Sequence, residues 1–524
     1  MDYFTIVLGL LFALTLHQGL SFLSRRRQKL PPGPTPLPLI GSLHLLGDKP
    51  HQSLAKLAKK HGPLMSLKFG QVTTVVVSSS AMAKEVLQKQ DLAFSSRSIP
   101  DALHAHNQFQ YSVVWLPVAS RWRSLRKTLN SNIFSGNRLD ANQHLRCRKV
   151  QELVAYCRKN SQTGGAVDVG RAAFRTSLNL LSNTIFSKDL TDPYSDSAKE
   201  FKDLVWNIML EAGKPNLVDF YPALEKIDPQ GIRRRMTIHF GKVLQMFGDL
   251  INERLQNGKS RHVDNDVLDI LLTTSKEAPD EIDRTHIERL CLVCVFVLIL
   301  YLFFPQCQHI LLAIYLPTFF MLQDLFVAGT DTTSNTLEWA MAEVLKNPEK
   351  MKKAKAELSE IIGKGKLIEE ADVSRLPYLR CIVKETLRLH PPVPFLIPRK
   401  VDQDVEVCGY NVPKGTQVLV NVWAIGRDDT IWDNALEFKP ERFMESELDI
   451  RGRDFELLPF GAGRRICPGL PLAVRMVPVM LGSLLNSFDW KLEGGMAPKD
   501  LDMEEKFGIT IQKANPLLAV PVCL

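Results

Sequence analysis

Strong charge imbalance is missing from this sequence. Lys and Arg number 65 against 57 Asp and Glu, a net charge of +8 in 524 residues. That excess is too small for a nucleic-acid footprint and suffices only for a basic patch facing an acidic protein partner or anionic lipid. Cysteine is scarce. The nine cysteines are scattered, with no set of four at the spacing of a structural zinc site. Cys147, Cys157, Cys381, Cys408 and Cys523 read as ordinary thiols of a reducing compartment. No Gly/Ser-rich linker divides the chain, so its length is read as one large domain, with a 45% hydrophobic content sufficient for a substantial core. Two long stretches, 3–23 and 293–323, lack Asp, Glu, Lys and Arg altogether.

The first of these fits one membrane crossing by length. Arg25, Arg26, Arg27 and Lys29 follow it and only Asp2 precedes it. The positive flank stays cytosolic, so the N-terminus is expected to face the lumen. A cleaved signal peptide would carry its basic end before the apolar run, and no A-x-A-like site follows. Residues 1–24 are therefore read as an anchor and 25–38, with LPPGPTPLP at its end, as a stiff basic and proline-rich hinge. Residues 39–524 form the main domain. Residues 64–78 read as a β-hairpin around Gly70, 81–90 as a short helix, and 139–275 as a series of amphipathic helices.

The chemistry concentrates in FGAGRRICPG at 460–469, a lone Cys467 among glycines and arginines. Gly461, Gly463 and Gly469 let backbone approach a flat group closely. Arg464 and Arg465 offer positive charge to a thiolate, and Pro468 stiffens the turn after the sulfur. Trp122 and Arg126 are four apart, on one helix face, and an indole N–H with a guanidinium suits a carboxylate. Ala328-Gly329-Thr330-Asp331-Thr332-Thr333 puts an acid and a hydroxyl beside two small residues, a combination suited to ordered proton delivery. A helix start capped by Asp and Thr is the plainer reading of that segment. Glu385 and Arg388 share a helix face just before His390-Pro391-Pro392.

These four motifs, in this order, resemble the cytochrome P-450 monooxygenases over about residues 30–524. The resemblance implies a mainly α fold with small β-sheets and a single N-terminal transmembrane helix. It implies haem b held by Cys467 as axial iron ligand, and dioxygen reduced with NADPH electrons from NADPH–cytochrome P-450 reductase. Trp122, Arg126, Arg399 and Arg465 would hold the haem propionates, with Phe460 and Gly461 beside the macrocycle. Thr332 and Asp331 would govern proton delivery, and Ala328 and Gly329 would open a notch for dioxygen. Glu385, Arg388 and Arg442 would form a buried structural cluster. By the same resemblance 94–115 lies over the substrate, with Ile99, Leu103, Phe109, Val113 and Val114 as candidate contacts. Phe395, Leu396, Ile397 and Ile509 are candidates from the C-terminal third. That third is similar to the plant geraniol-hydroxylase family and, within it, to abietane diterpene oxidases of the ferruginol synthase type. An abietane-type diterpene is the first expectation for the substrate and a geraniol-type monoterpenol the second. The implied location is the endoplasmic reticulum membrane, single-pass, with the catalytic domain cytosolic and no nucleic-acid partner.

The second uncharged stretch breaks the pattern. Without 293–323, 31 residues, the flanks join as HIERLCL-DLFVAGTDTT, one amphipathic helix ending in the acid–hydroxyl motif. Its middle carries Pro305 and Gln306-Cys307-Gln308-His309, costly in a membrane span. It is rich in residues whose codons have U in the middle, begins with Val293 and ends with Gln323, as an in-frame retained intron would. Kept as helix it would displace the upstream half by about 46 Å, and Pro305 and Pro317 argue against such a helix. A haem-binding but inactive splice form is the corresponding alternative function.

Overall fold

The computed structural model describes residues 29–191, 197–257, 266 and 308–524. The anchor segment 1–24, residues 25–28 of the hinge and the 293–307 part of the uncharged stretch lie outside the described residues. The helices that build the body are α1 (Pro50–His61), α2 (Ser120–Asn132), α3 (Gln143–Thr163), α4 (Val169–Phe186), α5 (Ser197–Gly213), α6 (Ile232–Asn257), α7 (Gln308–Lys346), α8 (Pro348–Ile361), α9 (Pro377–Leu389) and α10 (Leu470–Ser487).

The strands that bear on the site are β1 (Leu64–Phe69), β2 (Val72–Val77), β3 (Ser96–Arg97), β4 (Arg399–Lys400), β5 (Gln417–Val420), β6 (Glu505–Phe507) and β7 (Ile511–Lys513). The first five form one sheet in the order β1-β2-β5-β4-β3, in which only β2 and β5 run parallel. The β-branched run at 72–77 and the turn at Gly70 produce the β1–β2 hairpin. In the β3–β4 pair Arg97 and Arg399 are direct partners, so the register sets two arginines side by side. β6 and β7 form a separate hairpin.

The main core lies where α3, α4, α7, α8, α9 and α10 meet, around Leu153, Ala173, Leu337, Met341, Leu358, Ile382, Met480 and Leu484. α9 shows how such an element is specified. Pro377 at its first turn costs no intrahelical hydrogen bond, and Leu379, Ile382, Val383 and Thr386 recur at helical spacing and are buried. Among the described residues one helix, Leu470–Ser487, is long and apolar enough to cross a membrane, but it is 72% buried inside the protein and serves as a core helix.

α7 corrects one expectation and agrees with another. It runs unbroken from Gln308 through Pro317 to Lys346, although a helix through Pro317 was not expected. An interior proline removes one i→i−4 hydrogen bond at a cost of about 3 kcal/mol, and the rest of this long helix spans that defect. The acid–hydroxyl motif at 328–333 lies well inside this helix, as the resemblance implied, and not at a helix start. α7 packs most extensively against α4. A Cβ on Gly329 would come within 2.8 Å of Leu181 Cδ1 on α4, so a larger residue there would have to push that side chain aside, and Gly329 eases this helix contact as well as opening the cavity wall.

Candidate active site

Cys467 sits in a tight loop closed by its own N–H donating to the Phe460 carbonyl at 3.0 Å. Within the loop Gly463 has φ +67°, and a Cβ there would meet the Leu87 carbonyl at 2.1 Å, so only glycine serves. α10 begins at Leu470, immediately after the sulfur. Burial pushes the Cys467 thiol up, while the backbone N–H groups of Gly469 and Leu470 and the Arg126 guanidinium pull it down. A helix N-terminus and one arginine thus favour the thiolate against desolvation. Sequence proximity assigned that task to Arg464 and Arg465. Arg464 instead pairs with Asp91 at 2.9 Å, and Arg465 turns to the backbone of another segment.

An apolar cavity of about 340 Å³ borders the sulfur. Its wall includes Cys467, Phe460 and Gly461 from the loop and Ala328, Gly329, Thr332 and Thr333 from α7. Arg97, Arg126, Arg399, Arg465 and Trp122 also line it. Four guanidinium groups so buried are unusual, and among the described residues none of them is ion-paired to a carboxylate. Burial depresses all four. Arg399 falls to about 10, Arg465 also to about 10 with help from Arg399 and Arg126, and Arg97 is lowered further by Arg399 and Arg465. Arg399 Nε is buried without any hydrogen-bond partner. An unpaired cluster of this kind calls for an anion of comparable charge.

The five cavity donors are not equivalent. Trp122 already donates its indole N–H to the Val113 carbonyl at 3.0 Å, which removes it as a direct propionate donor in this structure. Arg465 donates from Nε to the Ser95 carbonyl at 2.9 Å and also bonds the Val113 and Leu116 carbonyls. It thereby clamps the 95–116 segment and stacks over Trp122 at 4.9 Å. Arg126 uses one nitrogen on the Ile466 carbonyl at 2.5 Å, and Arg399 one on the Phe94 carbonyl at 3.0 Å, so these two keep N–H groups to spare. Arg97, which bonds the Val114 and Ile397 carbonyls, was missed from sequence. Only its partnership with Arg399 across the β3–β4 pair reveals it.

On α7 the hydroxyls of Thr330, Thr332, Thr333 and Thr336 each donate to the carbonyl four residues back, Thr332 to Ala328 at 2.6 Å. This leaves the Thr332 oxygen lone pairs to accept. Asp331 departs from expectation: it is 1% exposed and does not line the cavity. Burial raises its carboxyl, which accepts hydrogen bonds from Thr510, Gln512 and Asn335. Of the candidate substrate contacts, Leu103, Val113, Val114, Leu396, Ile397 and Ile509 line the cavity. Ile99, Phe109 and Phe395 do not. Phe109 turns its ring edge to His104 at 4.7 Å and Phe395 to Phe507 at 6.1 Å, while Ile99 packs against a neighbouring core cluster. Leu181, Ile208, Met209, Ala212 and Phe240, from α4, α5 and α6, complete the apolar wall. Their helical periodicity read as core packing, and nothing in the sequence marked them as cavity residues.

Away from the cavity, Arg388 holds Glu385 through two hydrogen bonds of 2.7 and 2.8 Å, and Arg442 adds a third at 3.0 Å. The remaining Arg388 donors reach the Gly426, Ala435 and Glu437 carbonyls. The cluster ties α9 to the 426–442 segment.

A cysteine at a helix N-terminus, an apolar cavity and a ring of unpaired arginines define the site of a haem-thiolate protein: the sulfur fits the iron, and the free N–H groups of Arg126 and Arg399 fit the propionates. The chain belongs to the cytochrome P450 family, whose model matches residues 31–296 and 321–518. It is 77% identical over 524 residues to a geraniol 8-hydroxylase of Catharanthus roseus, covering 100% of each chain. It is 74% identical over 519 residues to a geraniol 8-hydroxylase of Swertia mussotii, covering 99% of each. A geranylhydroquinone 3''-hydroxylase of Arnebia euchroma is 57% identical over 525 residues, with 100% of this chain and 99% of that one covered. The protein is thus a monooxygenase that uses haem iron, dioxygen and NAD(P)H-derived electrons passed on by a reductase, and it acts on a hydrophobic substrate.

Proposed function

We propose that this enzyme hydroxylates a geraniol-type monoterpenol. The observation that carries the reading is the full-length identity of 74–77% to two geraniol 8-hydroxylases. The sequence alone put an abietane diterpene first, and the relatives favour the monoterpenol instead. Bound haem supplies dioxygen activation and the insertion of one oxygen atom into a C–H bond. Cys467 ligates the iron and pushes electron density onto it. Arg126 and Arg399 hold the propionates, which relieves the repulsion within the arginine cluster. Val113, Val114, Leu396, Ile397 and Ile509 enclose an isoprenoid chain and exclude water from it. Thr332 accepts and passes on protons at the cavity wall, supported by Asp331.

The proposal extends to placement and form. The uncharged run at 3–23 and the basic flank at 25–29 anchor the chain in the endoplasmic reticulum membrane with the domain cytosolic. The working enzyme is the 493-residue form, 31 fewer than 524, without 293–323. The family match, which stops at 296 and resumes at 321, supports this. To test the substrate reading, geraniol and an abietane hydrocarbon are titrated into the haem-loaded protein while the Soret band is followed. A saturable shift with geraniol is the expected result, and a saturable shift with the abietane alone would overturn it.

A further inference from the structure

Asp331 carries the proton-delivery role by sequence, yet the structure separates it from the cavity. Its carboxyl is buried and absent from the cavity wall. Thr510, at the tip of the β6–β7 hairpin, bridges that separation. Its hydroxyl donates to Asp331 Oδ2 at 2.7 Å, and the same residue, 0% exposed to bulk solvent, lines the cavity. The tip is fixed on both sides of Thr510. The Ile509 N–H donates to the Met209 carbonyl of α5 at 3.2 Å, and the Ile511 N–H to the Pro392 carbonyl at 2.8 Å. The other carboxyl oxygen, Oδ1, accepts from Gln512 Nε2 at 2.6 Å. Gln512 is half-buried, so this side of Asp331 approaches solvent.

We propose that Thr510 is the relay hydroxyl that connects Asp331 to the cavity, with Gln512 as the residue that orients the carboxyl. A hydroxyl oxygen can accept one proton while giving up another, which an amide does only through separate atoms and an aliphatic side chain not at all. In the transfer this hydrogen bond reverses: Thr510 turns its own proton toward a cavity water, the O–H bond on a protonated Asp331 Oδ2 breaks, and that proton goes to Thr510 Oγ1. The original Thr510 proton passes to a water in the cavity, and Asp331 is left as carboxylate. A proton from bulk water on the Gln512 side restores it, so the net movement is one proton from solvent to cavity. Burial raises the Asp331 carboxyl, which suits a group that must hold a proton before giving it. The inference rests on the monooxygenase chemistry and not on which terpenoid is bound.

The test compares Thr510→Val, Thr510→Ala, Thr510→Ser and Asp331→Asn, each with its haem content and carbon monoxide spectrum as a folding control. In the reductase-coupled reaction, Thr510→Val and Thr510→Ala should raise hydrogen peroxide released per NADPH several-fold. Thr510→Ser should restore coupling. A second readout needs no turnover: the infrared carbonyl stretch of the Asp331 carboxyl, recorded at a pH low enough to protonate it and identified by its loss in Asp331→Asn. It should shift upward in Thr510→Val and Thr510→Ala and stay in place in Thr510→Ser. Wild-type coupling in both hydroxyl-deleted variants, alongside an uncoupled Asp331→Asn, would overturn the relay. An unmoved carboxyl band would overturn the contact itself. Either readout in Thr510→Ala decides the matter should the valine variant fail to take up haem, and any substrate that supports coupled turnover serves.

Discussion

Cys467, Thr332 and Arg399 test the site at the scale of single residues. Cys467→Ser should abolish the red-shifted Soret band that thiolate-ligated ferrous haem gives with carbon monoxide; a variant that keeps the band would mean that another residue ligates the iron. Thr332→Ala removes the cavity-lining hydroxyl next to Asp331 and should raise peroxide per NADPH several-fold, measured against product formed. Unchanged coupling would place proton delivery elsewhere. For Arg399, depression to about 10 corresponds to about 3 kcal/mol of cost in the cofactor-free chain. Arg399→Met should therefore raise the melting temperature of the haem-free protein and lower haem retention in the loaded one. A haem-free variant that melts no higher than its parent would contradict the view that burying this guanidinium costs stability until a propionate arrives. At this scale the sequence displayed Cys467 and the Asp331-Thr332 pair because each lies in a contiguous motif. It could not display Arg97 or Thr510, whose partners are 302 and 179 positions away and meet them only through strand register and a hairpin tip.

Elements were legible where a local pattern decides them. The β-branched run at 72–77, the amphipathic α9 and the positive-φ glycine turn of the cysteine loop all follow from rules spanning a few residues. α7 was not. Its passage through Pro317 depends on the rest of a 39-residue helix outweighing one broken hydrogen bond. The assignment of Gly329 to a packed contact depends on where α4 lies. The decisive experiment on this element is to express the 524-residue chain and the form without 293–323 beside one reductase. The shorter form should bind more haem and turn over faster, because its helix joins 286–292 directly to Asp324 and the acid–hydroxyl motif. Equal haem content and equal product would make the segment a tolerated insertion. Sequencing the transcript across the codons for Leu292 and Asp324 is an independent check, and a message lacking the 31 codons should dominate.

On the scale of the whole molecule, the proposed anchor at 1–24 and hinge at 25–38 would make the haem domain a membrane-bound enzyme. Deleting 1–24 should release the protein from membranes only in part, measured by sedimentation, since exposed apolar side chains such as Leu39, Ile40, Leu217 and Ile227 can still engage lipid. Complete retention would show that the N-terminal run is not the main anchor. The fold class was readable because four motifs fall in a fixed order. The substrate was not, because an apolar cavity wall records hydrophobicity without recording which carbon skeleton fills it. Product analysis tests the account most directly. The 493-residue form is incubated with reductase, NADPH and either geraniol or an abietane hydrocarbon, and the extracts are read by mass spectrometry. The account predicts geraniol gaining one oxygen atom, dependent on Cys467. Oxidation of the abietane with geraniol left untouched would contradict it.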